Sequence, residues 1–542
     1  MSQGSYRMSP MQCKSFARGF GLAAVLVFSA CSNLQVEERE PVEAVEGFAG
    51  LVVADEPRAA TIGRDILLDG GNAADAAIAM YFAMTVTLPS RVGLGGGGTC
   101  VVYDNEDKRG DVLQFLPVAT PTGGIVPRGA RAMAALSARQ GRMRWPAVVS
   151  SAESLARFGH AVSRAFVRDL HLAASRIEAS PEVARLFRNQ AGRLPDEGDR
   201  IEQVALAGVL SSLRAQGAGY LHSGSFLDRY VEASVAAGQP ISRDEIRGAL
   251  PVFEPAIAFP VAGRTAYFSG PPAANGLVAA VLWRALTEVM DYQDEVGAER
   301  AHLFVEAAMR SFGDRADWMT PQGGSRIDPD RLLDEDHLRR LTDTINQAQH
   351  TPAGALSPRP SRVPENPYGA SLVVGDHWGN AVACSFTMNG LFGAFRTVPG
   401  TGIILAAPPS GDHNGALSPS AVIIAADPTG NAYFGAAASG GSAAPTALVA
   451  VLSGAVQEGR DLEQVVGEAR IHHGGLPDVV SYEPGTDPAV LAGLRQRGHD
   501  LTEVPELGRV NAFTCLEGIR NYKLNCQVAQ DPRGFGLAIM VQ

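Results

Sequence analysis

The chain has 542 residues, 46% of them hydrophobic and 19% charged, the balance of a globular protein with a sizeable core rather than of a disordered one. That length suits two ordinary domains or one large α/β unit. A net charge of −11 with no basic stripe argues against a nucleic-acid partner, because phosphate binding needs clustered Lys and Arg.

The N-terminus reads as an address. Lys14 and Arg18 precede an apolar run, Gly19 to Ala30, too short to span a bilayer but suited to a signal-peptide core. The run ends Phe28-Ser29-Ala30-Cys31, which resembles a bacterial lipoprotein processing site. Residues 1–31 are therefore expected to be a lipoprotein-type signal peptide, with Cys31 as the acylated first residue of the mature protein. Residues 32–47, polar and acidic, read as a tether. The expected location is the bacterial cell envelope, as a periplasm-facing lipoprotein whose membrane contact is its lipid anchor. Of the six Cys, four lie beyond Cys31. Cys515 and Cys526 are expected to form a disulfide across a hairpin, since exported proteins form such bonds. Cys100 and Cys384 lie in strand-like runs and are expected to be buried and reduced. No spacing suggests a metal site, and no cofactor is implied.

In chain order, Leu51 to Ala54 reads as a buried strand and Ala60 to Leu68 as a helix stopped by Gly70-Gly71. Asn72 is an N-cap for an Ala-rich helix over 73–84. Gly93-Leu94-Gly95-Gly96-Gly97-Gly98 marks close approach of backbone to backbone or to a ligand, and the strand Thr99 to Tyr103 follows. Residues 131–365 carry helical patterns, over 201–214, 227–237, 274–290 and 299–313. Five prolines between 352 and 367 indicate a linker. Ser371 to Val374 and Ala381 to Asn389 then form a hairpin around the turn Asp376 to Asn380. In the second strand Val382, Cys384, Phe386 and Met388 share an apolar face. Ala383, Ser385, Thr387 and Asn389 share the other, which is expected to line a cleft. Gly435 to Ser442 reads as a small-residue turn before a helix, Pro445 to Leu452. Its amides suit either an anion site or oxyanion hole, or only a tight crossing.

Several of these segments, in this order, resemble the γ-glutamyltransferase (glutathione hydrolase) family. Gly70 to Ala77 is similar to its GGNAxDAA signature, Leu94 to Gly98 to its LGGGG block, and Glu306 to Asp317 to a conserved-pattern helix. Gly379 to Ala383 with Thr387 and Asn389 resembles the hairpin after its nucleophile, and Ser439 to Ser442 the glycine pair of its oxyanion hole, here Gly440 and Gly441. Arg470 to His473 and Asp531 to Gly534 resemble its C-terminal strands. The resemblance runs from about 48 to 542. It implies an α+β fold, the four-layer αββα sandwich of the N-terminal-nucleophile hydrolases, with a helical middle region. It divides the chain into a large-subunit-like part, 48–365, and a small-subunit-like part, 366–542, within one integrated unit. In that family a precursor cuts itself before a Thr, whose own amine is the base for attack on a γ-glutamyl amide.

The reacting groups depart from this pattern. The family's Thr-Thr-His-x-Ser-Val-Val-Asp stretch corresponds to Tyr368-Gly369-Ala370-Ser371-Leu372-Val373-Val374-Gly375-Asp376. Aligned on the Val pair the nucleophile position is Tyr368; aligned on Asp376 it is Gly369. Leu116 stands where an Arg would clamp the α-carboxylate. Ala406 to Asp412 replaces the run that holds the α-amine, with Asp412 the nearest stand-in, and the family's Ser pair maps to Gly415-Ala416. Two readings follow. One is a protein impaired or inactive in γ-glutamyl transfer that binds a small amide or peptide in the old cleft. The other is an active hydrolase of the family, either a γ-glutamyltransferase or a related amidase in which autocleavage exposes Ser371 as the nucleophile.

Overall fold

Two antiparallel sheets, of seven and six strands, carry the architecture of the computed structural model. It describes residues 47–542 apart from 190, 262, 291, 321–322, 357–366, 409–419, 427–429 and 522–525. Cys31, the leader, most of the tether, most of the proline-rich linker, Asp412 and Gly415-Ala416 lie outside the described residues. Among those described, no helix is long and apolar enough to cross a membrane.

The strands in chain order are β1 (Gly50–Ala54), β2 (Gly97–Asp104), β3 (Arg109–Gln114), β4 (Val252–Pro255), β5 (Ile257–Val261), β6 (Arg264–Phe268), β7 (Gly369–Asp376), β8 (Ala381–Thr387), β9 (Ser420–Ala426), β10 (Ala432–Ser439), β11 (Arg509–Cys515), β12 (Cys526–Ala529) and β13 (Leu537–Val541). The first sheet runs β13-β1-β7-β8-β2-β3-β4 and the second β12-β11-β10-β9-β6-β5. Both sheets therefore combine strands from before and after the proline-rich segment, interleaved in the first and in two blocks in the second.

Each sheet is covered by helices on one face and by the other sheet on the other face. Outside the first lie α1 (Pro57–Leu68) and α2 (Ala73–Thr87), backed by α3 (Trp145–Phe158) and α4 (Val204–Gln216). Outside the second lie α5 (Ala274–Arg284), α6 (Gly297–Trp318), α7 (Ala443–Leu452) and α8 (Pro488–Gln496). The result is the expected αββα sandwich. Every residue of α2 is buried, because the helix sits between a sheet and a further helix layer, so it has no polar face to show. The predicted cap is present: Asn72 accepts from the Asp75 amide (3.0 Å) and Asp75 from the Asn72 amide (3.2 Å).

The same burial explains the texture of β7. Ala370, Leu372 and Val374 face the helix layer, while Val373 faces the second sheet, so the strand reads as a continuous apolar run. Small residues on the facing strands, among them Ala383, Ala421 and Ala437, let the sheets come together.

Four expectations are corrected here. Cys100 and Cys384 are directly opposed across the β2–β8 pair, their Cα atoms 4.0 Å apart, and form a disulfide rather than two buried thiols. The expected bond between Cys515 and Cys526 is present as well. The segment Gly435 to Ser439 is part of β10, and only Gly440 to Ser442 turns; its alanines are needed between tightly packed layers, which a glance at residue size mistakes for a loop. The middle region is not helical throughout, since it contributes β4, β5 and β6. In β5 the signal was a weak alternation, with Ile257 and Phe259 buried and Ala258 and Pro260 exposed. Finally, the short-polar face of β8 does not line a cleft along its length: Ser385 lies between the sheets, its hydroxyl donating to the Ala438 carbonyl (2.9 Å).

Candidate active site

The candidate site lies where the first residues of β7 meet the last of β8 and β10. Strand register settles which residue begins β7. Gly369 lies opposite Thr387, Ala370 opposite Phe386 and Ser371 opposite Ser385, while half-buried Tyr368 precedes the ladder. Gly369 fits closely. A Cβ added there would stand 2.9 Å from the Phe386 carbonyl oxygen and 3.2 Å from the Ser439 Cβ.

Beside it, β10 ends in the turn Gly440-Gly441, with φ of +123° and +66°. A Cβ at Gly440 would meet the Gly508 Cα at 2.5 Å, so close backbone approach as well as the dihedral requires glycine. Among the described residues neither the Gly440 nor the Gly441 amide has an acceptor, and the buried Ser439 hydroxyl has no partner. The turn opens onto a cavity of about 440 Å³ lined by Pro367, Gly440, Ser442, His472, Leu476 and Glu506. His472 is held by hydroxyls, with Nε2 3.1 Å from Ser442 Oγ and Nδ1 2.9 Å from Thr446 Oγ1. Burial, with His473 and Arg315 nearby, pushes its pKa down to about 3, so the ring is neutral.

A buried charge network supports this end of the sheet. Arg91 makes a bidentate pair with Asp169, both bonds 2.6 Å, and donates its remaining nitrogen to the Gly369 carbonyl (3.1 Å). Burial opposes the ionised form of Asp169, but Arg91 and Ser90 override it and hold the carboxyl below its usual range. Arg509 pairs with Glu506 (2.7 Å), and burial pulls the Arg509 pKa down. Asp55 is shifted upward by burial, against the pull of Arg509.

Ser371 is fully buried, two residues inside β7. Its amide donates to Asp55 (2.7 Å), and its hydroxyl lies between Asp55 (3.4 Å) and the Asn511 amide nitrogen (2.9 Å). Thr387 is buried and accepts from the Asn389 amide (2.9 Å). Asn389 turns its side chain to backbone, donating to the Pro117 and Ala407 carbonyls at 2.7 and 3.1 Å. The glycine block is packed backbone to backbone, with Cβ positions at Gly95 and Gly97 filled by the Ile404 and Phe115 carbonyl oxygens at 2.2 and 2.0 Å. Leu116 is buried. The structure thus brings Gly369, Thr387 and the Gly440-Gly441 turn together and leaves Ser385 apart, between the sheets.

Sequence reasoning missed Asp55, Arg91, Asp169, Glu506, Arg509 and Asn511. The one local signal was an isolated charge directly after a buried strand or before the glycine block, as at Asp55 and Arg91. Their pairing spans 78 residues for Arg91–Asp169 and 456 for Asp55–Asn511, which no local pattern discloses.

The layered sheets, with a strand start facing a glycine turn, define the N-terminal-nucleophile hydrolase fold. Solved structures agree. The chain superposes on a cephalosporin acylase from Bacillus halodurans with a TM-score of 0.77 at 21% identity, covering 95% of this chain and 99% of that one. For γ-glutamyltranspeptidase from Helicobacter pylori the score is 0.51 at 22% identity, over 58% and 97%. The sequence profile described as Gamma-glutamyltranspeptidase matches residues 59–122, 119–408 and 416–541, and this chain belongs to that family. It is 23% identical to the glutathione hydrolase proenzyme of Escherichia coli K12, over 92% of this chain and 95% of the relative. It is 26% identical to an acylase proenzyme of a Pseudomonas species, strain SE83, over 68% and 70%.

Proposed function

We propose that this family member stays uncleaved, does not transfer γ-glutamyl groups, and holds a small amide or peptide in the cleft beside the Gly440-Gly441 turn. The observation that carries the reading is Gly369, opposite Thr387, as the first residue of β7. Both cutting the precursor and attacking an amide carbonyl require a hydroxyl or thiol at that point, and glycine has neither. Leu116 supports the same reading, since a buried aliphatic side chain cannot pair with an α-carboxylate. The amides at Gly440 and Gly441 remain able to bind the carbonyl oxygen of an amide ligand. Relatives named glutathione hydrolase and acylase supply the chemistry against which the loss is measured.

The purified full-length chain is expected to run as one band on a denaturing gel and to release no product from a γ-glutamyl anilide. Two fragments meeting near residue 369 would overturn this reading. If Ser371→Ala then abolished the split, the Ser371 hydrolase would replace it, although its hydroxyl is engaged inside the sheet by Asp55 and Asn511.

We also propose attachment to the cell envelope through a lipid on Cys31. Two disulfides favour an oxidising compartment and so support export. Cys31→Ser is expected to move the protein from the membrane to the soluble fraction, with loss of the acylated N-terminal peptide in mass spectra. Unchanged membrane association in that variant counts against the anchor.

A further inference from the structure

Outside the lining of the candidate cavity, His302 and Glu306 stand one turn apart on the buried face of α6. His499, just past α8, reaches the same point. All three are buried, and one ligand atom from each lies within 4.8 Å of the others. His302 Nδ1 is 2.8 Å from His499 Nε2, which is 3.9 Å from Glu306 Oε1. A fourth group lies beside these three: His350 Nδ1 is 2.6 Å from the same Glu306 Oε1, and the His350 and His499 rings lie with centroids 4.3 Å apart.

The outer bond of His302 decides which of its nitrogens faces inward with a lone pair. His302 Nε2 is 2.8 Å from the Asn346 carbonyl oxygen, which can only accept, so Nε2 carries the hydrogen and Nδ1 of the neutral ring is bare. His350 Nε2 is 3.2 Å from Asp478 Oδ1, and with a carboxylate at each nitrogen the ring carries both hydrogens; His473 bonds the same Asp478 oxygen at 3.1 Å. A carbonyl or carboxylate on the outer nitrogen is the arrangement that orients metal-bound imidazoles. Glu306 is prepared similarly: Arg310 takes Oε2 (2.5 Å), which leaves Oε1 turned to the imidazoles.

We propose that His302 Nδ1, His499 Nε2 and Glu306 Oε1 form a structural site for a divalent transition metal, with zinc the best match, and that His350 Nδ1 swings from its bond with Glu306 to complete the coordination. Three imidazoles and one carboxylate suit tetrahedral Zn²⁺ and do not suit Ca²⁺ or Mg²⁺, which take mainly oxygen ligands. At a Zn–N length of about 2.0–2.1 Å the facing nitrogens sit farther apart than in their present hydrogen bond, so binding requires His302 and His499 to separate slightly and His350 to move toward them. On binding, the His499 hydrogen moves from Nε2 to Nδ1, which has no other partner among the described residues, and His350 gives up its Nδ1 hydrogen to solvent. Asp478, at the edge with 29% of its side chain exposed, marks the side from which the ion enters. The ion would tie α6, the segment before the proline-rich linker and the C-terminal region together.

The test begins with the full-length chain stripped by a chelator, loaded with excess zinc and desalted. The expected result is about one zinc retained per chain and a raised melting temperature, because a ligand bound only by the folded state stabilises it. Asp478→Asn, which leaves all four ligands in place, should weaken retention by about 10–100-fold. Glu306→Gln should abolish it, and His337→Gln, outside the cluster, should not change it. If Glu306→Gln fails to fold, cobalt(II) on the unaltered chain gives the answer: intense visible bands report a tetrahedral, nitrogen-rich site. No retained zinc, retention unaffected by both Asp478→Asn and Glu306→Gln, or only weak octahedral cobalt bands would overturn the proposal and leave a purely hydrogen-bonded histidine network.

Discussion

Asp169→Ala is expected to destabilise the fold by about 3–5 kcal/mol in urea unfolding, the largest effect of any single substitution considered. Asp169 and Arg91 are both essentially excluded from water, and the variant leaves a guanidinium buried without its counter-charge. Only the Gly369 carbonyl remains as a partner for Arg91 among the contacts of that pair. Replacing both charges, as in Arg91→Met with Asp169→Leu, should recover much of the loss, because the cost arises from the uncompensated ion more than from the missing pair. A loss of less than about 1 kcal/mol in Asp169→Ala would contradict the reading of the pair as fully desolvated.

The pH dependence follows in sign. The folded-state pKa of Asp169 lies below its unfolded value. The stabilisation it provides is therefore complete above the unfolded value, about 3.9, and is lost as pH falls through the folded one. Asp169→Asn should remove that part of the acid dependence. A wild-type protein and an Asp169→Asn variant that lose stability in parallel below about pH 4 would show that another carboxylate governs acid unfolding.

Removing the central disulfide, as in Cys100→Ala with Cys384→Ala, is expected to cost about 2–5 kcal/mol. The bond joins positions 284 residues apart and closes a loop far longer than the 11-residue separation of Cys515 and Cys526. On the chain-entropy account the longer closure restricts the unfolded state more, so removal of the Cys515–Cys526 bond should cost less. Urea unfolding of the two double variants measures the order. Alkylation of the unfolded, unreduced protein should find none of these four cysteines free; a reactive thiol at Cys100 or Cys384 would restore the reduced pair that strand reading alone suggests.

How much of the site was legible depends on how far apart its parts lie in the chain. Asn72, the glycine block and the hairpin at 369–387 are short motifs whose backbone requirements are local, and each appears where its residues indicate. The choice between Tyr368 and Gly369 could not be made from the same stretch. One extra residue in the hairpin shifts the alignment, and only the pairing of Gly369 with Thr387 fixes the register. Ser385 illustrates the converse. Alternation correctly put it on the face opposite Cys384, but a strand pattern cannot say whether a second sheet covers that face. The histidine cluster was invisible for a related reason, since its ligands come from three separate segments and only His302 and Glu306 carry a helical spacing.

The sequence by itself determined the family and the αββα class, because those are matters of residue identity and short-range pattern. Tertiary structure alone decided that Cys100 and Cys384 bond, which face of β8 is buried, and how Arg91, Asp169, Asp55 and Arg509 share a water-excluded space. Pairing across a sheet and burial of charge are set by contacts between segments tens to hundreds of residues apart, and local propensity carries no record of them.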